Sequence, residues 1–338
     1  MTSYIKTCYK ISDFIFGRFS EKLKIIVNVM IHEWQMAPLA PCFGDEFHGV
    51  SEEEVNSTFH DLDSESVSQI KKYLKGVCFL PAGSHDFFFY NTRKFFTSEE
   101  LKQRNMIRKE LFREQKKYHF PRTCSGMESF LTHHGLRLLD FPVRDYLRDG
   151  NFIDAGCCFG DSALVFLKHY APGKVYSFEP SESNRNVCKK YLKRNKINPE
   201  KIELVPLGLG AENETIIFHE TPGESNSLLT HAENGIPITV KTLDTFCTER
   251  NLSRVKLIKA DIEGMGMDML HGAEKVIREN RPVMSLSIYH NKKELFGIYQ
   301  TLQKWNLNYH YMVRMLAWPL PGFAELSLLA WPAELESK

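Results

Sequence analysis

Residues 151–180, NFIDAGCCFGDSALVFLKHYAPGKVYSFEP, decide the fold. Phe152-Ile153 is a short apolar strand that runs into Asp154-Ala-Gly156-Cys-Cys-Phe-Gly160, and Asp161-Ser162 then opens a helix carrying Leu164, Val165 and Leu167. A second strand, Lys174-Val-Tyr-Ser-Phe178, ends on Glu179 and Pro180. Strand, glycine-bearing turn, helix and strand in this order read as one nucleotide-binding βαβ unit. Glycine at the first turn lets a ligand approach the backbone with no Cβ in the way. The helix that follows offers free N–H groups. An acidic side chain closing the second strand, roughly 20 residues on, is where a ribose diol would be held.

The glycine spacing narrows the ligand. A dinucleotide loop reads G-x-G-x-x-G, whereas here three residues separate Gly156 from Gly160 and position 158 is Cys, so a pyrophosphate loop is not matched. D-x-G-x-x-x-G followed by a strand-end Glu is instead the pattern of S-adenosylmethionine (AdoMet) sites. AdoMet has a ribose and an amino-acid tail but no phosphate. The bland alternative is a crossover that uses its glycines only to turn; the agreement of the loop with the distal Glu179 weighs against it.

Working outward, strands and helices alternate from residue 150 onward. Strands are expected at 151–155, 174–179, 201–206, 255–261 and 282–289, and helices at 161–170, 182–195 and 266–280. That order predicts an α/β fold with a parallel sheet covered on both faces. Residues 214–219 (ETIIFH) and 236–243 (IPITVKTL) read as an inserted pair of strands, and 309–316 with 323–331 as a final antiparallel hairpin.

Upstream the pattern changes, which divides the chain into a mostly helical extension, 1–125, and a cofactor domain, 126–338. Ile11, Phe14, Ile15, Phe19, Leu23, Ile26, Val27 and Met30 recur at helical spacing, so 9–32 is expected as an amphipathic helix. Its Lys10, Arg18, Lys22 and Lys24 permit a membrane surface, but packing on the chain's own body or on a second copy, giving a homo-oligomer, is the expectation. Residues 36–60, rich in Pro, Gly and acidic side chains, read as loop. Helices follow near 64–75 and 97–118, the latter opened by the capping box Thr97-x-x-Glu100. Residues 79–91 (FLPAGSHDFFFYN) read as strand and turn.

Composition excludes some function classes. The 338 residues carry a formal net charge of +1 and a pI near 7.6, so no global field recruits nucleic acid or anionic membrane. The basic runs Lys116-Lys117, Lys189-Lys190 and Lys292-Lys293 read as solvated helix faces. The eight cysteines show no C-x-x-C pair and no zinc spacing; Cys157 and Cys158 read as small fillers of the cofactor turn. With no signal-peptide pattern and no apolar run of membrane-span length, a reducing cytoplasm is the expected location.

In an open parallel sheet the ligand lies at the carboxyl ends of the strands. Four segments bring polar groups there: Asp154 to Asp161, Glu179, Asp261-Ile-Glu263-Gly264 and Ser287-Ile-Tyr289-His290. Asp261 ends the apolar strand VKLIKAD, where a carboxylate can take or orient a hydroxyl proton. The bland reading makes it a cap for a helix starting near Gly266. His290 is the second base candidate. An Asp/Glu/His set is also a ligand set for a divalent ion, but no compact ligand spacing is present and no metal is expected. Gly223 to Ser227 reads equally as a lid or a solvated turn. His133-His134-Gly135 could fold over the cofactor or simply end a helix.

The segments FIDAGCCFGDSALVF, VYSFEPS, LIKADIEGMGMDMLHGA and RPVMSLSIYH resemble the FkbM family of AdoMet-dependent methyltransferases, over about residues 140–290. The combination of Asp261-x-Glu263-Gly264, His271-Gly272-Ala273 and Arg281-Pro282-Val283 carries the resemblance. It implies a Rossmann-like, seven-stranded class I methyltransferase sheet and O-methyl transfer to a hydroxyl of a sugar, polysaccharide or secondary metabolite. It also implies that Asp154, Gly156 and Gly160 hold the methionine end of AdoMet, with Cys157 and Asp161 of the same turn as further cofactor-binding residues. Glu179 and Pro180 would hold the ribose, and Leu207-Gly208 the adenine. Asp261 and Glu263 would stand at the reaction centre, Asp261 also touching the cofactor, with His290 beside them. Gly266 departs from the pattern, since many members carry a second Glu there. Two rival functions remain: a non-catalytic AdoMet-binding partner in a biosynthetic complex, and a nicotinamide oxidoreductase. The expected partner is a small-molecule or glycan acceptor.

Overall fold

The structure, a computed structural model, describes residues 47–78, 97–120, 126–218, 235–317 and 325–336. The segments 9–32, 79–91 and 223–227 singled out above lie outside the described residues. The strands are β1 (Asn151–Ala155), β2 (Lys174–Phe178), β3 (Ile202–Val205), β4 (Gly208–Leu209), β5 (Glu214–Phe218), β6 (Ile236–Lys241), β7 (Val255–Ala260), β8 (Val283–Ser287), β9 (Tyr309–Met315) and β10 (Leu326–Pro332). Seven of them form one sheet of order β3-β2-β1-β7-β8-β10-β9. β3, β2, β1, β7 and β8 run parallel, while β10 is antiparallel to both β8 and β9.

This order positions the site. The chain builds β1, β2 and β3 to one side, then returns to lay β7 and β8 on the other side of β1. The crevice outside the carboxyl ends of β1 and β7 is therefore a topological switch point, where α/β sheets hold ligands. Register aligns the ends: Ala155 pairs with Phe178 of β2 and with Ala260 of β7. The three segments carrying Gly156, Glu179 and Asp261 thus leave the sheet side by side.

Alternating side chains divide the core into two layers. Phe152, Val175, Leu257 and Val283 pack with Leu164, Val165 and Phe166 of helix Asp161–His169. Ile153, Ala155, Phe178, Ile258 and Ala260 pack on the opposite face with Leu243, Phe246, Met269 and Leu270. Both faces of the central strands are covered, as their near-continuous apolar runs require. The inserted strands form a second small sheet, β4-β6-β5, with β5 antiparallel to β6.

The extension departs from expectation at 36–60, where Glu52–Thr58 is helical. The acidic residues of that stretch are its first turn: Ser51 Oγ accepts from Glu54 N at 3.0 Å, and Glu52, Glu53 and Glu54 face the positive end of the helix. Val55 and Phe59 then anchor it in the core. Helix Ser64–Cys78 lies on β9, the edge of the large sheet. Ser66 Oγ accepts from Val313 N (2.9 Å) and Gln69 Oε1 from Met315 N (2.7 Å), so the exposed edge is capped by side chains. Helix Ser98–Lys117 opens with both halves of the Thr97–Glu100 capping box formed.

The helix expected over 266–280 is two helices, Gly266–His271 and Glu274–Asn280. A Cβ on Gly272 would stand 2.1 Å from Gly210 O, so the chain breaks where two backbones touch. Asp244 caps the second helix by accepting from Lys275 N (3.1 Å) and Val276 N (2.9 Å). Among the described residues no helix is long and apolar enough to cross a membrane.

Candidate active site

The first turn is built by close approach. Gly156 has φ +75°, and a Cβ there would stand 1.9 Å from the carbonyl oxygen of Asp261. Gly160 has φ +84°, and its Cβ would stand 2.3 Å from Cys188 Sγ. Both positions demand glycine twice over, for the left-handed backbone and for the space. Glu179 closes the turn: Oε2 accepts from Cys158 N (3.0 Å) and Oε1 from Ser181 N (2.9 Å). Burial raises its carboxyl above the ordinary range, opposed by the Ser181 and Cys158 amides.

These groups border a cleft. Gly156, Glu179, Pro180, Asn184, Leu207 and Gly208 line one part, Asp261 and Glu263 another, and Ile216, Ile238 and Val240 of the small sheet a third. Asn184 Oδ1 is buried with no hydrogen-bond partner among the described residues. A buried acceptor left open costs free energy unless a donor reaches it. An apolar strip, a carboxylate with lone pairs to spare and an open acceptor fit an adenine with its ribose hydroxyls.

Other expected cofactor residues lie beneath the cleft rather than in it. Asp154 is fully buried. It accepts from Ser162 Oγ (2.8 and 2.9 Å) and Ser177 Oγ (3.0 Å), and stands 3.5 Å from Lys259 Nζ. Its carboxylate is thus engaged with Ser162, Ser177 and Lys259 inside the sheet. Lys259 donates to Ala155 O (3.2 Å) and Gly156 O (2.8 Å), passing the anchor to the glycine turn. Burial would lower the Lys259 ammonium, but Asp154, Asp261 and Asp161 outweigh it and hold it raised. Lys259 was missed in the sequence, although a Lys near the carboxyl end of an otherwise apolar strand was the signal.

Cys157 is buried, its thiol pushed up by a hydrogen bond with Cys188 and by burial. Asp161 accepts from Ser129 Oγ at 2.5 Å, and that hydroxyl also meets His134 Nε2 at 3.1 Å. His133 and His134 are buried; burial holds the first down to about 3 and the second well below its ordinary value. His133 bonds Tyr170 Oη (2.9 Å), and Ser285 Oγ donates to His134 O (2.7 Å). Both are neutral packing residues that tie residues 127–138 to the sheet. Nearby, burial and then the Asp161 charge lift Glu128 to about 8.

At the end of β7 the reaction candidates converge. Tyr289 Oη donates to Asp261 Oδ1 (3.1 Å). His290 Nε2 stands 3.5 Å from the same oxygen and 3.7 Å from Glu263 Oε2. His290 Nδ1 lies 2.7 Å from Glu294 Oε2. Burial alone would lower the imidazole, yet Glu294, Glu263 and Asp261 raise it to about 9. Asp261 is not a cap for the next helix, which has no side-chain cap; Glu294 Oε1 accepts from Gly266 N instead (2.7 Å). Glu294 was also missed, its one signal being the four-residue spacing from His290. Among the described residues, no group of three or more His, Cys, Asp or Glu side chains has metal-holding geometry.

A seven-stranded mixed sheet of this order, with its cleft at the switch point, is the sheet of the class I methyltransferases. Residues 154–314 match the methyltransferase FkbM domain, the domain of an AdoMet-dependent methyltransferase family. Among curated proteins it is similar to the 2-O-methyltransferase NoeI of Sinorhizobium fredii (strain NBRC 101917 / NGR234), 24% identical over 153 residues, which are 39% of this chain and 61% of that protein. It is likewise 24% identical over 157 residues to Methyltransferase 1 of Beauveria bassiana (strain ARSEF 2860), covering 40% of this chain and 62% of the relative. The chain therefore spans about three fifths of the length of these relatives. Among solved structures, methyltransferase FkbM from Methylobacillus flagellatus KT superposes with a TM-score of 0.52 at 18% identity, over 82% of this chain and 58% of that one. At that identity the likeness concerns the fold.

Proposed function

We propose that this chain transfers a methyl group from AdoMet to a hydroxyl oxygen of a sugar, a polysaccharide or a secondary metabolite, with Asp261 receiving the hydroxyl proton. One observation carries the reading: Asp261, Tyr289, His290 and Glu263 meet at one end of the cleft whose other part holds Gly156 and Glu179. The name of the first relative, a 2-O-methyltransferase, supports oxygen as the acceptor atom.

Bound AdoMet supplies an electrophilic methyl group on a sulfonium. Glu179 and Pro180 would hold its ribose, Leu207 and Gly208 its adenine, and the Gly156 turn its methionine end, with Asp154 and Lys259 fixing that turn from below. Tyr289 and His290 both address Oδ1 of Asp261, which leaves Oδ2 for the acceptor's O–H. His290 places a positive charge between Asp261 and Glu263 and is a charge partner, since an imidazole raised to about 9 is already protonated at neutral pH. A hydroxyl is a weak acid, so a positioned carboxylate contributes by general-base assistance and by aligning the oxygen. Residues 47–78 pack behind this end of the cleft, from where they would support the acceptor side: Tyr73 Oη donates to Tyr289 O (2.6 Å), and Lys292 Nζ to His48 O (3.2 Å). The free thiols of Cys157, Cys158, Cys188 and Cys247 favour a reducing compartment such as the cytoplasm.

The test is incubation of the full chain with deuteromethyl-AdoMet and hydroxylated oligosaccharides or metabolite pools, followed by mass spectrometry. Label on an oxygen, lost in Asp261→Asn, is expected. Label on nitrogen or carbon, or binding of NADH in place of AdoMet by calorimetry, would overturn the proposal.

A further inference from the structure

We infer that Glu294 is the positioning residue of this site: its carboxylate fills the space that a side chain at position 266 would take, and from there it aims His290 at Asp261 and Glu263. The inference deepens the methyl-transfer reading and rests on it for its catalytic meaning. Gly266 begins helix Gly266–His271, and its φ lies outside the left-handed region. The backbone there would accept any residue, so the absence of a side chain answers to space. A Cβ on Gly266 would stand 2.8 Å from Glu294 Oε1 and 3.4 Å from Glu294 Cδ. The vacated volume is occupied by that carboxylate.

Both of its oxygens are used. Oε1 accepts from Gly266 N (2.7 Å), and Oε2 meets His290 Nδ1 (2.7 Å). Glu294 N donates to Asn291 Oδ1 (2.8 Å), which fixes the start of the turn. Glu294 and His290 are 1% and 2% exposed, so water does not screen the contact. Glu294 lies in the π-helical turn Lys293–Ile298. Such turns recur at functional sites because the wider ring redirects a side chain.

Among the described residues, the carboxylates facing His290 come from two elements. Glu294 is on its own segment; Asp261 and Glu263 come from the loop after β7, Glu263 with φ +51°. The Tyr289 ring lies against the imidazole with centroids 3.9 Å apart. With Nδ1 held by Glu294, only Nε2 is presented to the two reaction-centre carboxylates. The raised imidazole, at about 9, agrees with that arrangement.

The experiment follows the His290 ring by NMR in the full chain labelled with ¹³C-histidine, the signal being assigned by its loss in His290→Gln. Glu294→Gln keeps the shape and removes the charge. Gly266→Ala keeps every ionisable group and displaces the carboxylate. Both variants are expected to lower the His290 titration midpoint by about 1–3 pH units, as loss of a close opposite charge does. Both should also move the alkaline limb of kcat to lower pH, with the Kd for AdoMet unchanged. An unchanged midpoint in either folded variant overturns the assignment. A third variant, Gly266→Glu combined with Glu294→Ala, returns a carboxylate to the same space and should restore the midpoint in part; failure to do so with His290 still ordered also counts against it. If midpoints move but no methyl transfer exists, the proposed function falls and the positioning stands. If methyl transfer exists and midpoints do not move, the positioning alone falls.

Discussion

Replacing Lys259 by Met tests how the glycine turn is held. Lys259 is 4% exposed and Asp154 0%, so neither charge can turn to water when its partner is lost. In Lys259→Met the Asp154 carboxylate keeps only the hydroxyls of Ser162 and Ser177. Leaving one member of a buried ion pair costs about 3–5 kcal/mol. Gly156 O also loses its 2.8 Å donor, about 1 kcal/mol more, whereas Ala155 O retains Asp261 N at 3.1 Å. The sum, about 4–6 kcal/mol, is a large part of the 5–15 kcal/mol that holds a typical domain folded. Adding Asp154→Asn removes the stranded charge while Asn Oδ1 still accepts from the serines. The double variant should therefore be more stable than Lys259→Met, with a coupling of about 2–3 kcal/mol. Urea unfolding followed by tryptophan fluorescence and far-UV circular dichroism gives all four corners of the cycle. A loss under about 1 kcal/mol for Lys259→Met, or a double variant no better than the single, refutes the reasoning.

Further expectations concern the cleft. Gly156→Ala forces a left-handed backbone and a contact at 1.9 Å with Asp261 O, a strain of about 3 kcal/mol, so AdoMet affinity should fall about 100-fold by calorimetry; a loss under tenfold speaks against the turn's role. Glu179→Gln strands one of the two amides that Glu179 now accepts and weakens a ribose contact, raising the Kd for AdoMet about 10–100-fold; an unchanged Kd removes Glu179 from the ribose. Asp261→Asn should lower kcat about 10²–10⁴-fold with little change in AdoMet affinity; turnover within tenfold of wild type means another group takes the proton. His290 binds its proton more tightly folded, at about 9, than unfolded, at 6.5. Its contribution to stability is thus complete below about pH 6.5 and lost as pH rises through about 9. Denaturation midpoints across that range should decline in wild type and flatten in His290→Gln; parallel profiles contradict the charge on His290.

The central strands were legible because each is a short apolar run bounded by glycine or acid, and β1, β2 and β7 end within a residue of the expected places. Helix Glu52–Thr58 was not legible, since first-turn acids and a serine cap have the composition of a loop until Val55 and Phe59 are seen to be buried. The final hairpin was readable as a pair, but its insertion was not. β10 lies between β8 and β9, an order that depends on which strand edge is open once the rest of the sheet has formed.

From the sequence alone the candidate cofactor turn could be located. Turn, helix and acidic strand end fall within thirty residues, 151–180, and their mutual placement is dictated by local backbone geometry. The sequence also marked Asp261, Glu263 and His290, because polar residues closing apolar strands must emerge at the ligand-binding edge. Tertiary structure decided what each of these does. Gly156 is glycine because Asp261 O, more than a hundred residues on, lies where a Cβ would be. Asp154 became a buried anchor because Ser177 and Lys259 close over it. His290 became a cation because Glu294, Glu263 and Asp261 surround it. Periodicity records which side of a strand or helix is buried, whereas the charge and contacts of a buried polar group depend on what stands opposite it in space.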